Sequence, residues 1–163
     1  MATEIEHKYI VTSDEFRDSC AEQHYFMQGY LTTDKKCVVR VRIVEDKAYL
    51  TIKGENRGAT RPEYEIAIDV DMARSMLKDM CVTPIIEKTR YIYIYQGHRW
   101  EIDCFHGANE GLIIAEIELN SEEDNYECPA FIGRNVTGIA RYYNSNLAQR
   151  PYSMWSETER NGM

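Results

Sequence analysis

Alternation of apolar and charged residues recurs along most of the chain. The segments EIEHKYIV, QGYLTT, CVVRVRIVE, KAYLTIKG, RPEYEIAIDV, KTRYIYIYQ, HRWEIDCF and LIIAEIELN are short and rich in β-branched and aromatic residues. Their period of two is that of β-strands. Turn material (TTDKK, VEDK, GENRGAT, YQGH, HGANEG) separates most of them. Helical spacing is scarcer. Ser13-Asp14-Glu15 caps a short helix running to about Cys20, and Met72, Met76, Leu77 and Met80 share one face of DMARSMLKDM. Ser121-Glu122-Glu123-Asp124 starts a third helix, and YNSNLAQR forms a last short one. The closing stretch MWSETERNGM reads as a loose tail. The expected class is α+β, mostly antiparallel, with about eight strands, a number that closes into a barrel and removes exposed edges.

The polar face of these strands is unusual in composition. Arg40 and Arg42 share a face against Val39, Val41 and Ile43, and Lys53 lies opposite Ile52. Arg61, Glu63 and Glu65 oppose Tyr64, Ile66 and Ile68, while Lys88 and Arg90 share a face. Glu101 and Asp103 flank Ile102, and Glu116 and Glu118 oppose Ala115, Ile117 and Leu119. At the start of the chain Glu4, Glu6 and Lys8 fall on one side. Any one such strand reads as part of a sheet with one wet face. Exposed ion pairs are worth only ~0–1 kcal/mol each, so stability alone gives little reason to repeat like-charged carboxylates two apart. If the charged faces converge inside a barrel, the interior becomes a polar tunnel. Basic residues there grip an anion, and clustered carboxylates hold divalent cations through hard oxygen ligands. The outward apolar faces, with Val39, Val41, Ile66 and Ile68, then need cover from helices or from a second copy in a homodimer.

Length and charge narrow the classes. A chain of 163 residues suits one domain with a real core, here 1–150, followed by a tail over 151–163. A net charge of −8 and a pI near 5.1 argue against nucleic acid or an anionic membrane held by bulk electrostatics. No stretch approaches the ~20 apolar residues of a membrane span, and Met1 leads into patterned sequence without a signal-peptide core. Five scattered cysteines without a CxxC pair read as free thiols in a reducing cytoplasm rather than a zinc site. KGENRG lacks the phosphate-loop pattern and reads as a hairpin turn. His7 lies on the face opposite Glu6 and Lys8. His24, His98 and His106 fall in or near loops.

Glu4-Ile5-Glu6-His7-Lys8 fits the ExExK signature of the CYTH superfamily, also called triphosphate tunnel metalloenzymes. The chain resembles that family in order through QGYL, RVR, LTIKG, RPEYEI, EKTRY, WEIDCF, AEIEL and NVTGIARYYNSNLA, to about Leu147. The resemblance implies an eight-stranded antiparallel barrel that binds a triphosphate with Mg²⁺ or Mn²⁺ and hydrolyses a phosphoanhydride, first of all in inorganic tripolyphosphate. It implies Lys8, Arg40, Arg42, Lys53, Lys88 and Arg90 as the triphosphate grip. It implies Glu4, Glu6, Glu116 and Glu118, with Glu63 or Glu65 nearby, as metal-binding and water-positioning carboxylates. Asp103 would orient the basic residues, with Arg61 and Arg141 in support. Lys88 and Tyr30 resemble a catalytic pair of short bacterial members, with Glu6 and Glu118 beside them. Two ways of activating water stand: Lys88 with its pKa lowered from ~10.4, or a second metal. The chain departs from the family pattern at VTGIARYYN, where Ile139 and Ala140 replace a position often charged. Related activities are adenylate cyclisation from ATP and hydrolysis of thiamine triphosphate. The non-enzymatic reading is a passive binder of polyphosphate or nucleotide.

Overall fold

A computed structural model describes residues 3–82 and 84–163. Met1, where the absence of a leader was read, lies outside the described residues with Ala2 and Thr83. The strands are β1 (Thr3–Val11), β2 (Glu22–Asp34), β3 (Cys37–Val44), β4 (Lys47–Gly54), β5 (Thr60–Ile68), β6 (Ile86–Tyr95), β7 (His98–Phe105), β8 (Ile113–Glu118) and β9 (Ile132–Asn135). The helices are α1 (Phe16–Ser19), α2 (Val70–Asp79), α3 (Asn144–Gln149) and α4 (Glu157–Arg160).

Strand order β5-β4-β3-β2-β6-β7-β8-β1 is closed by pairing of β1 with β5, so the expected eight-stranded antiparallel barrel forms. Only the first part of β1 closes the ring, through Thr3↔Pro62, Glu4↔Arg61 and Ile5↔Thr60. Past that point the free edge of β1 would be an open ladder. The short β9 covers it, pairing at Tyr9 and Val11. At the β6–β7 hairpin Gln96 and Gly97 both have positive φ, 48° and 78°. That is the primed two-residue turn whose twist matches the flanking strands.

Residues directly opposite in antiparallel strands point to the same face. The register pairs Glu6 with Glu118, Lys8 with Glu116, Glu101 with Glu116 and Arg90 with Asp103. It also pairs Gln28 with Arg42, Tyr30 with Arg40, Thr51 with Glu65 and Lys53 with Glu63. The charged positions of the separate strands therefore share one face of the closed sheet, the lumen.

Hydrocarbon is packed elsewhere. Outside β2–β4, α2 lays Ala73 and Leu77 on Val41, Ile43 and Ala48. Asp69 caps this helix by accepting from the Met72 amide at 3.0 Å. Gly29 permits its approach: a Cβ there would stand 2.5 Å from Cys81 Sγ and 3.0 Å from Leu77 Cδ2. A second outer cluster joins Trp100, Ile102, Ala115 and Ile117 to Phe16 and Phe131. A third occupies one end of the lumen, where Tyr30, Val38, Ile86 and Ile114 meet Tyr142, Leu147, Ala148 and Trp155. The outer faces named from the sequence are covered unevenly, since Val41 is buried while Ile66 is 58% exposed.

Three expectations change. Strand β2 begins at Glu22, ahead of QGYLTT. Ser121–Asp124 forms no helix, because Asp124 Oδ2 accepts from the amides of Asn120 and Ser121 and folds the segment into a turn. The closing stretch is not loose: Trp155 is 5% exposed and meets Tyr142 edge-on at 5.1 Å. Behind it Ser156 and Glu159 form a capping box on α4. Among the described residues no helix is long and apolar enough to cross a membrane.

Candidate active site

The lumen holds a cavity of about 260 Å³ whose wall is almost wholly charged or polar. Strand β1 supplies Glu4, Glu6 and Lys8, and β3 and β4 supply Arg40, Arg42 and Lys53. Strand β5 adds Arg61, Glu63 and Glu65, β6 adds Lys88 and Arg90, β8 adds Glu116 and Glu118, and β2 adds Tyr30. These sequence-predicted residues meet because their strands alternate in step and the sheet is closed.

Two predicted residues stand apart. Asp103 lies behind the cavity wall, 1% exposed. It accepts from Lys88 Nζ at 2.7 Å and from Arg90 twice, Nε at 2.7 Å and Nη2 at 2.9 Å. Arg141 is not brought to the lumen. Its guanidinium lies against Tyr142 and Trp155, and its Nη2 donates to the Met163 carbonyl oxygen at 2.8 Å. The aromatic packing of the closing stretch draws it outward.

Sequence reasoning missed several members. Glu101, which the alternation put on the charged face without a role, lines the cavity, and buried Gln28 beside the wall shares the strand parity of Tyr30. Tyr143, Asn144 and Ser145 also line the cavity, delivered by the segment leading into α3, and nothing in strand periodicity could place them. Tyr143 sits with its ring 5.3 Å from Lys8 Nζ, which donates to the Tyr142 carbonyl at 3.3 Å. Phe26 lies under the basic side, its ring 4.7 Å from both Arg42 and Arg90.

Some charges neutralise one another and some do not. Lys53 donates to Glu4 at 2.9 Å, and Lys8 stands 3.4 Å from Glu116. Burial works to raise both carboxyls, but the adjacent lysines win and hold them low. Other carboxyls are stressed the opposite way. Burial and then the charges of Glu116 and Glu4 push Glu6 well up. Burial and a proton shared with Glu4 lift Glu63 to about 7, and burial with Glu4 and Glu101 raises Glu118.

The basic side carries the reverse stress. Burial, then Arg40 and Arg90, press Arg42 down to about 9, and among the described residues it has no carboxylate within ion-pair distance. Burial also brings Lys88 down to about 7, against the opposing pull of Asp103, and Arg90 and Arg42 press the same way as burial. Asp103 is itself held low, at about 2, against burial, by Arg90 and Lys88. Ammonium and carboxylate are thus both depressed, the lysine by burial and the carboxylate by the two cations it faces. Among the described residues Arg40 Nε is buried with no hydrogen-bond partner, an uncommon state that an anion in the cavity would relieve. One cavity thus holds basic groups on one side and carboxyls on the other whose charged forms the fold opposes.

A family model described as the CYTH domain matches residues 2–152. The chain belongs to the CYTH domain family. This CYTH domain is 48% identical over 157 residues to an inorganic triphosphatase of Acetivibrio thermocellus, covering 96% of this chain and 100% of that one. It is 36% identical over 150 residues to an inorganic triphosphatase of Nitrosomonas europaea, covering 90% and 97%. The crystal structure of an inorganic triphosphatase superposes with a TM-score of 0.64 at 34% identity, over 91% of this chain and 95% of that chain. A Hippeastrum protein described both as an adenylyl cyclase and by a dominant triphosphatase activity superposes at 0.58 over 72% and 80%. At 15% identity that likeness is one of fold alone.

Proposed function

We infer that this CYTH domain is an inorganic triphosphatase, hydrolysing a terminal phosphoanhydride of tripolyphosphate inside the barrel. The carrying observation is a cavity short of counter-ions on both sides: among the described residues Arg42 has no carboxylate, and Glu6 and Glu118 no cation, within ion-pair distance, and burial opposes the charged forms of Arg42, Lys88, Glu6, Glu63 and Glu118. A polyphosphate chain, with Mg²⁺ or Mn²⁺ held by the carboxylates, would relieve both.

Among the described residues no three acidic, histidine or cysteine side chains stand assembled as a metal cage. Glu4 is turned to Lys53 and Glu116 to Lys8 instead. The donor set still fits a hard divalent cation, because Glu6, Glu63 and Glu118 are oxygen donors whose ionisation the fold opposes. Glu4, Glu6, Glu116 and Glu118, with Glu63 or Glu65, would hold it. When bound it supplies neutralising charge at phosphate oxygens and a more acidic water.

The chain's own groups do the rest. Lys8, Arg40, Arg42, Lys53 and Arg90 bind the non-bridging oxygens, where charge develops as the terminal phosphoryl group transfers in line to water. Lys88, its proton lightly held, takes a proton from the attacking water or returns one to the leaving pyrophosphate. Burial raises the Tyr30 phenol, which stays protonated and can donate into the cavity. A passive anion binder gains nothing from lining its site with repelling carboxylates, so catalysis is the better reading.

As part of the same reading, five unpaired cysteines support a reducing cytoplasmic setting. The exposed Ile52, Tyr64 and Ile66 support a homodimer through the outer β4–β5 wall, and a monomer mass by light scattering would remove that part. The central test incubates the protein with tripolyphosphate, ATP or thiamine triphosphate and Mg²⁺ or Mn²⁺. Orthophosphate chiefly from tripolyphosphate is expected. Cyclic AMP with pyrophosphate from ATP would make it a cyclase, and tight binding without turnover a passive binder.

A further inference from the structure

Behind Lys88 runs a chain of hydrogen bonds that the phosphate grip does not require. Arg42 Nε donates to Gln28 Oε1 at 2.8 Å. Gln28 Nε2 donates to Asn144 Oδ1 at 2.9 Å and faces the Tyr30 hydroxyl at 3.3 Å. Asn144 Oδ1 also accepts from Lys88 Nζ, at 2.8 Å. Gln28 and Lys88 are both almost completely buried.

The polarity of this chain is forced from one end. A guanidinium has only donors, so Gln28 must turn its oxygen to Arg42 and its NH₂ away. That NH₂ needs an acceptor, so Asn144 must present its oxygen. The oxygen then has room for a second donor, and Lys88 provides it. Neither amide can flip without setting donor against donor in a buried place, a costly arrangement.

We propose that Asn144, held in orientation by Gln28, is a positioning residue for Lys88, fixing the direction in which the free site on the lysine nitrogen points. The nitrogen is tetrahedral. One direction is its own carbon, one N–H is taken by Asp103 at 2.7 Å and one by Asn144 at 2.8 Å. A single direction remains, and Lys88 lines the cavity. That direction carries an N–H when the amine is protonated and a lone pair when it is neutral. Without Asn144 the amine can rotate about its last bond and spread its free positions.

The acceptor comes from outside the strand framework. Asn144 opens α3, after Tyr143 in extended conformation, and the segment is pinned by Tyr142 against Trp155 and by the Lys8 contact to the Tyr142 carbonyl. Seating of the closing stretch is thereby coupled to the geometry of the amine.

The inference rests on the reading that Lys88 works at the terminal phosphoryl group, and the test separates the two. Charged groups facing Lys88 are Asp103 on β7, Arg90 on β6, Arg42 on β3 and Glu116 on β8. Asn144→Ala, Asn144→Asp and Gln28→Ala are compared with the parent in tripolyphosphate hydrolysis. The Lys88 Cε resonance is followed by ¹³C NMR in metal-free protein over a pH series. Asn144→Ala lowers kcat by about tenfold or more with KM within about threefold, since the lost interaction is one of orientation in the transition state. Gln28→Ala, which leaves Asn144 in place but free to turn, gives a smaller loss of the same kind and serves if Asn144→Ala does not fold. Asn144→Asp keeps the acceptor and adds a negative charge, so the Lys88 midpoint rises by about one pH unit or more. Unchanged kcat in Asn144→Ala, or an unmoved midpoint in Asn144→Asp, overturns the assignment. If the parent does not turn over tripolyphosphate, the functional reading fails and the NMR midpoint alone decides the positioning role.

Discussion

Replacement of Asp103 by Asn probes the charge balance on which the basic side of the cavity depends. The carboxylate is buried and takes three hydrogen bonds, one from Lys88 and two from Arg90. Asparagine keeps its size but removes the charge and sets an NH₂ against donors. Losing one partner of a buried ion pair costs about 3–5 kcal/mol. The lower end applies, because Glu101 still reaches Arg90 Nη1 at 3.1 Å. For a chain of this size each kcal/mol moves Tm by about 2–4 °C, so a fall of about 6–12 °C is expected.

The deficit depends on pH in a defined sense. Asp103 is held at about 2 in the fold, so its contribution is present above the unfolded aspartate value of ~3.9 and fades as pH falls through the folded one. Lys88 is already down to about 7 and sinks further once Asp103, its largest opposing influence, is gone. A lysine depressed on folding makes the folded state bind fewer protons, so stability rises with pH through that range. Lys88 in the variant sheds its proton earlier than in the parent, and the difference narrows as pH approaches about 7. The largest deficit therefore lies between about pH 4 and the lowered Lys88 value in the variant. Thermal unfolding of parent and variant across this range is the assay. A Tm difference under about 2 °C near pH 5, less than 1 kcal/mol, would refute Asp103 as the counter-ion of the basic cluster.

Further outcomes follow from the same geometry. Glu6→Gln should raise the Tm of metal-free protein at neutral pH by about 2–6 °C, because the raised Glu6 carboxyl opposes folding above its unfolded value. The same variant should lower tripolyphosphate turnover by about tenfold or more; a destabilised but active protein would contradict both statements. Arg40→Ala removes a guanidinium whose Nε is buried and unpartnered, and should lower kcat/KM by about tenfold or more in orthophosphate-release kinetics. Retained activity would take Arg40 out of the grip. Trp155→Ala empties the edge-on contact with Tyr142 and should cost about 3–5 kcal/mol in urea unfolding; a loss under about 1 kcal/mol would return the closing stretch to a loose tail.

Strand parity needs only neighbouring residues. Glu4, Glu6 and Lys8, or Arg40 and Arg42, point the same way wherever their strand goes, since the pleat is a local property of the backbone. The acid and base sets of the lumen, and the barrel that unites them, were legible for that reason. Gln28 and Glu101 were within reach of the same rule, though a neutral amide and one more carboxylate carry a weaker signal than paired charges. Arg141 and Asn144 lie three positions apart, and no periodicity separates them. One turns out to aromatic rings and the other in to Lys88 because Tyr142 and Trp155 pack against the end of the barrel. Pairing among the charges is likewise a property of distance: Lys53 meets Glu4 across strands far apart in the chain, and Asp103 is divided between Lys88 and Arg90 across the β6–β7 hairpin. Side-chain direction along a strand is set within a few bonds. Which charges neutralise each other, and which are left for a ligand, is set by closure of the sheet and docking of the last helices, contacts that local pattern does not encode.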